Sequence, residues 1–183
     1  ARRIARRRHA RRFAAWCGCA GVFERTDTDG PALLRAHLRE RGLMRTLALD
    51  IGEVRIGLAI SDAAGRVATP LKVLAACDVL SDGAEFRRIV QDWEVERLVC
   101  GLPYTLAGEE GPQAASIKER AARIAKSRDL PLFFADERMS SREAKRILRE
   151  EGLDERAMRG KVDMIAASLF LQSWLDAENG RES

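Results

Sequence analysis

The chain has 183 residues, about one domain's worth, with 33% charged and 46% hydrophobic residues and a formal net charge of +4. It contains no run of about 18 apolar residues, which excludes a long apolar membrane-spanning helix. Both histidines (His9, His37) precede residue 44 and no C-x-x-C pair occurs, which argues against a zinc site and against a Cys-His or Ser-His dyad in the rest of the chain.

The charge is unevenly spread. Residues 1–43 carry 11 Arg against 4 acids, net +7, whereas residues 44–183 are net −3. Attraction of the main domain to nucleic acid therefore needs local patches or a metal rather than bulk charge. The opening "ARRIARRRHARRFAAWCGCAGVF" has three readings: a secretory or twin-arginine signal, an arginine-rich arm for phosphates, or an extension outside the folded unit. The extension is the reading preferred, with a domain over residues 44–178 starting at Met44 and a short tail over 179–183.

In chain order, "LALDI" alternates Leu47, Leu49 and Ile51 with Ala48 and Asp50, the pattern of a half-buried strand. Arg55 to Ser61 alternates again after Gly52-Glu53-Val54, which predicts a hairpin. Gly65 to Leu74 is a third strand, and Pro70 places it at an edge. Residues 83–94 take helical spacing, with Phe86, Ile89, Val90 and Trp93 on one face. Arg97 to Cys100 reads as a buried strand, followed by the loop "YTLAGEEG" and a helix with Pro112 in its first turn. "LPLFFADER" is the last strand. Ser140-Ser141-Arg142-Glu143 has the form of a capping box, with Met139 and Ala144 at the staple positions, and Gly152 ends that helix. "VDMIAASLFLQSWLDA" is apolar nearly all round and is a packed helix. Hairpin-linked strands followed by alternating helices and strands imply an α/β fold, a mixed sheet with helices on both faces.

Three acidic positions fall at the ends of elements: Asp50, the pair Asp136-Glu137, and Asp163 in the first turn of the final helix. Such carboxylates converge at one sheet edge if they share divalent cations, and Mg²⁺ takes few carboxylates plus waters and phosphate oxygens. Each acid also has a plainer role. Asp163 complements the helix dipole, Glu137 and Arg138 join a surface salt bridge, or Asp50 accepts from Arg55 or the Gly52 backbone.

The segments "ALDIGEVRIGLAISD", "GLPYTLAGEEGPQA", "FADERMSSREAKRIL" and "GKVDMIAASLFLQSWL" resemble, in order and spacing, the YqgF family, also called RuvX-like proteins or pre-16S rRNA nucleases. The resemblance covers residues 44–176 and implies a ribonuclease H-like, mixed five-stranded sheet. It further implies a cytoplasmic metal-dependent nuclease, a hydrolase of phosphodiester bonds, that acts in 5′-end maturation of 16S rRNA precursor with Mg²⁺ or Mn²⁺. Its catalytic and metal-binding positions would be Asp50, Asp163 and the acid of "DER", Asp136 or Glu137, which the sequence leaves undecided. Arg55, Arg138 and Lys118 are expected to meet substrate phosphates. Gly57 and Ala59 are expected to let a nucleic-acid backbone or metal approach, and Gly101, Gly108 and Gly111 to let the loop after the fourth strand shape the groove, with Gly57 and Gly101 counted as substrate-binding. The expected partner is precursor rRNA or a ribosomal particle, with no membrane, for a monomer or homodimer. The alternatives are a Holliday-junction-type resolvase acting on branched DNA and a non-catalytic nucleic-acid-binding module.

Overall fold

In the computed structural model, residues 44–104, 111–138, 140–154, 158 and 160–180 are described. The Arg-rich residues 1–43, the loop tip with Gly108, Met139 of the expected staple and the tail beyond residue 180 lie outside them. Strand β1 (Thr46–Ile51) turns into β2 (Arg55–Ser61) through a tight hairpin in which the Gly52 N–H donates to the Arg55 carbonyl at 3.0 Å. Strand β3 (Ala68–Ala75) continues the meander at the sheet edge, as Pro70 predicts. Pro70 faces Ala59 where the register shifts after Leu58, so its missing N–H costs no regular ladder bond. The strand starts at Ala68 rather than Gly65 because residues 62–67 form a turn. There Asp62 Oδ1 accepts from the N–H groups of Arg66 (2.6 Å) and Val67 (3.0 Å), and Gly65 takes φ +64°.

A five-residue helix, α1 (Ala76–Leu80), follows β3 directly; it is too short to show an apolar period in the sequence. Then come α2 (Ala84–Asp92), β4 (Arg97–Leu102), α3 (Pro112–Arg128), β5 (Leu132–Asp136), α4 (Ser140–Glu150) and α5 (Val162–Asn179). The strand order is β3-β2-β1-β4-β5, with β1, β2 and β3 antiparallel and β4 and β5 parallel to β1. This is the expected α/β arrangement, a five-stranded mixed sheet with helices on both faces.

The two faces carry different side chains. Leu47, Leu49, Ile51, Ile56, Leu58 and Ile60 pack under α1 to α3. The opposite face offers Ala48, Ala59, Val99 and Ala135, on which α5 lays Phe170, Leu171, Trp174 and Leu175. Each of these four helix side chains contributes roughly 1.5–3 kcal/mol on burial. The Arg97 guanidinium lies 4.6 Å from the Trp174 ring centroid, covering the indole. The far half of α5 is pinned to the β2–β3 turn: Gln172 Nε2 donates to the Arg66 carbonyl at 2.8 Å and Gln172 Oε1 accepts from the Ala68 N–H at 2.9 Å.

Helix α4 ends as expected, with Gly152 at φ +80° and the Leu153 N–H donating to the Leu148 carbonyl at 3.1 Å. Its start differs from the capping box. The Ser140 hydroxyl donates to the Glu137 carbonyl at 2.6 Å, and Glu143 accepts from Arg146 Nε at 3.0 Å. Arg146 thus holds the Glu143 carboxylate that a capping box would turn back to the backbone. None of the described helices is long and apolar enough to cross a membrane.

Candidate active site

Asp50 is the next-to-last residue of β1 and leaves the sheet on the Ala48 side, the face covered by α5. Its antiparallel partner is Gly57 on β2. On its other side Leu49 pairs with Cys100, so Gly101 of β4 lies beside Asp50. Both neighbours of this carboxylate therefore lack a Cβ, and the structure shows what uses the space. A Cβ on Gly57 would lie 2.3 Å from the carbonyl carbon and oxygen of Asp163 and 2.7 Å from the Met164 nitrogen. The first turn of α5 rests on this glycine by its backbone. A Cβ on Gly101 would lie 2.5 Å from Glu137 Oε2 and 2.8 Å from Phe170 Cε1. Two glycines thus admit one acid on each side of Asp50.

The electrostatics follow from this placement. Burial, then the neighbouring charge of Glu137, then that of Asp163, push the Asp50 carboxyl from 3.8 up to about 7. Burial and Asp136 also hold Glu137 above the usual carboxylate range. Cys100 lies beneath the group with its thiol driven well up by burial and by the Glu137 and Asp50 charges, so it is no nucleophile. Asp163 accepts from Arg55 Nε at 3.3 Å. The hairpin carrying Asp50 and Arg55 is held from the other face by Arg120 Nη2, which donates to the Gly52 carbonyl at 2.8 Å. Arg120 sits in a Lys/Arg-rich helix, and nothing in that run sets it apart in the sequence.

Several expectations are corrected. Gly57 and Gly101, expected to meet substrate, do not offer it open sheet surface, because α5, Glu137 and Phe170 fill the space. Asp136 is not brought to the group as Glu137 is. Its carboxylate accepts from the Arg138 N–H at 2.8 Å and Nε at 2.7 Å, with Nη2 at 2.6 Å, an exposed pair outside the charges that act on Asp50. The pairing of Glu137 with Arg138 is replaced by this Asp136–Arg138 pair. Lys118 belongs to α3, on the opposite face, with its ammonium 5.4 Å from the Phe134 ring centroid. Gly111 has φ −86°, and among the described residues beyond its chain neighbours no atom lies within 4 Å of where a Cβ would stand, so its backbone does not demand glycine. Asp50 does not use the Gly52 N–H, which the hairpin turn takes.

Among the described residues no three acidic, His or Cys side chains close into a ready metal cage. The donor set nevertheless fits a hard divalent cation, since Mg²⁺ needs only one or two carboxylates and fills its octahedron with water and phosphate oxygens. A largely buried carboxylate raised to about 7 by burial and two other acids is a concentration of negative charge that such a cation relieves.

Comparison with known proteins decides the family. A family model described as "RuvX: Holliday junction resolvase" matches residues 44–177. The chain belongs to the RuvX family. Its relatives include an Acaryochloris marina protein, 45% identical over 130 residues, covering 71% of this chain and 90% of that one. A Thermosynechococcus vestitus protein is 41% identical over 137 residues, covering 75% of this chain and 91% of that one. A Chloroflexus aurantiacus protein is 43% identical over 131 residues, covering 72% and 86%. All three carry the name "Putative pre-16S rRNA nuclease". Among solved structures, the RuvX chain is similar to T. thermophilus RuvC in complex with Holliday junction substrate, with 14% identity and a TM-score of 0.46 over 75% of this chain and 96% of that one.

Proposed function

We propose that the protein is a metal-dependent nuclease that hydrolyses phosphodiester bonds, acting in 5′-end maturation of 16S rRNA precursor in the cytoplasm. The observation that carries the reading is the convergence of Asp163 and Glu137 on Asp50 through the spaces left by Gly57 and Gly101. The names of the relatives point to precursor rRNA as the substrate.

In this reading Asp50, Glu137 and Asp163 hold Mg²⁺ or Mn²⁺. When bound, the ion supplies the positive charge that acidifies the attacking water and stabilises the leaving oxygen. The chain's own groups do the rest. Arg55, which donates to Asp163, stands beside the acids and would be within reach to donate to a phosphate oxygen there. No histidine lies in residues 44–183, so proton transfer does not use an imidazole of this domain. Arg138 is occupied by Asp136 at the rim and meets substrate only by leaving it.

The test is cleavage of an RNA spanning the mature 5′ end of 16S rRNA, with Mg²⁺ or Mn²⁺, by the wild type and by Asp50→Asn and Asp163→Asn. Cleavage by the wild type alone supports the reading, and undiminished cleavage by either variant removes the site assignment. The second reading, resolution of branched DNA, is favoured by the description of the family model. A four-way DNA junction run beside the RNA, and mapping of rRNA 5′ ends after depletion of the protein, separate the two. Binding of RNA without cutting by a folded wild type selects the non-catalytic module.

A further inference from the structure

Beside Asp163, on the side away from Glu137, the start of α5, the β2 end of the hairpin and α4 enclose a cleft of about 360 Å³. Arg55 and Asp163 form one wall, Ser141 and Lys145 of α4 the other, and Met158 and Val162 are part of its lining. Ser141 and Lys145 are four residues apart and so share one face of the helix.

The charge in this cleft is unbalanced. The neighbouring cation on α4, Arg146, is spent on Glu143 (3.0 Å) and Glu150 (2.9 Å). Lys145 makes no such pair among the described residues. Asp163, the one carboxylate lining the cleft among the described residues, is already engaged by Arg55 at 3.3 Å. Two cations against one acid, with a hydroxyl donor and apolar wall, suit a group that is anionic at one end and carbon-rich at the other. A nucleotide phosphate with its sugar has that form.

We propose that this cleft is a subsite for a phosphate of the substrate strand next to the cut, held by Lys145 and Ser141. The proposal rests on the nuclease reading above. A strand whose scissile phosphate lies at Asp50 and passes Asp163 enters the cleft directly. Arg55 stands at the boundary, between the scissile phosphate and the next. Lys145 acts as a point charge and Ser141 as a hydroxyl donor, while Met158 and Val162 face the sugar.

The experiment measures binding of a fluorescein-labelled single-stranded RNA by anisotropy, using full-length protein carrying Asp50→Asn so that the probe is not cut. Adding Lys145→Ala is expected to weaken binding about tenfold and to reduce the slope of log affinity against log salt by roughly 0.7. Lys145→Arg should restore both. Replacing the probe's phosphates one at a time by neutral methylphosphonates sharpens the test. One position flanking the cut should lower affinity for the Lys145 protein and have no effect on the Lys145→Ala protein. Lys145 is exposed, so the substitution leaves the fold intact. Unchanged affinity and salt slope, or methylphosphonate losses that are equal in both proteins at every position, overturn the proposal. If that coupling is present but the wild type cleaves no nucleic acid, the nuclease reading fails and with it the placement beside a cut, while phosphate binding at Lys145 stands. Cleavage without coupling fails the subsite alone.

Discussion

The two faces of the sheet are built from opposite materials. Under α1 to α3, β1 and β2 present Leu47, Leu49, Ile51, Ile56, Leu58 and Ile60, with Phe86 wholly buried against them. Under α5 the same strands present Ala48, Ala59, Gly57 and one acid, Asp50. Large side chains hold a helix away from a sheet and give stability through buried area. Small ones let α5 come down until its backbone touches Gly57, which brings its first-turn acid to the sheet. The site is thus made largely by the absence of side chains, and the face that holds it gives up apolar contact to gain that proximity.

Substitutions test this contrast. The largest expected effect is on catalysis: Asp50→Asn should lower metal-dependent cleavage about a thousandfold, roughly 4 kcal/mol in the barrier, measured on the precursor RNA at saturating metal. On the opposite face Phe86→Ala should cost about 3–5 kcal/mol in urea unfolding while leaving the activity of the folded fraction unchanged. Gly57→Ala should cost about 3 kcal/mol as well and also abolish cleavage, because the methyl meets backbone of α5 that has no easy way to yield. Full stability and full cleavage in Gly57→Ala would contradict the seating of α5 backbone on this glycine.

A pH profile sharpens it further. The folded-state value of Asp50 lies above its unfolded value of 3.8, so the folded protein holds the extra proton more tightly. That stabilising contribution is complete below about pH 4 and is lost as pH rises through about 7. Metal-free protein should therefore lose up to about 4 kcal/mol across this window, less where the acids relax apart. Asp50→Asn should flatten the dependence, and Mg²⁺ or Mn²⁺ should raise the melting temperature at pH 8 far more than at pH 5. The smallest effect belongs to Asp136. Asp136→Ala removes an exposed pair with Arg138 and should change stability by no more than about 1 kcal/mol, with cleavage little altered.

Much of this is legible in the residues. The strands show themselves by alternation, Pro70 by its missing donor, and Gly152 by its place after the periodic run. Asp50 stands out because an acid at the end of an apolar strand needs a reason. The family resemblance points to the segments that carry Asp50, Glu137 and Asp163. What the sequence hides is spatial. A glycine shows that a side chain is missing but not what fills the gap, so Gly57 and Gly101 read as openings for substrate when they are seats for α5 and Glu137. The choice between Asp136 and Glu137 depends on how the chain leaves β5, and adjacent acids carry no sign of it. Helix α1 leaves no mark because five residues show no period. Lys118 is misplaced by the sequence because a basic helix face does not reveal which side of the sheet it covers.

Everything turns on whether Glu137, and not Asp136, joins Asp50 and Asp163 in holding a divalent cation. Calorimetric titration of Mn²⁺ into the wild type, Glu137→Gln and Asp136→Asn decides it, since it needs no substrate and no assumption about which nucleic acid is cut. Asp136→Asn should bind Mn²⁺ as the wild type does, and Glu137→Gln should lose at least about tenfold in affinity. Full affinity in Glu137→Gln, or its loss in Asp136→Asn, would contradict the assignment.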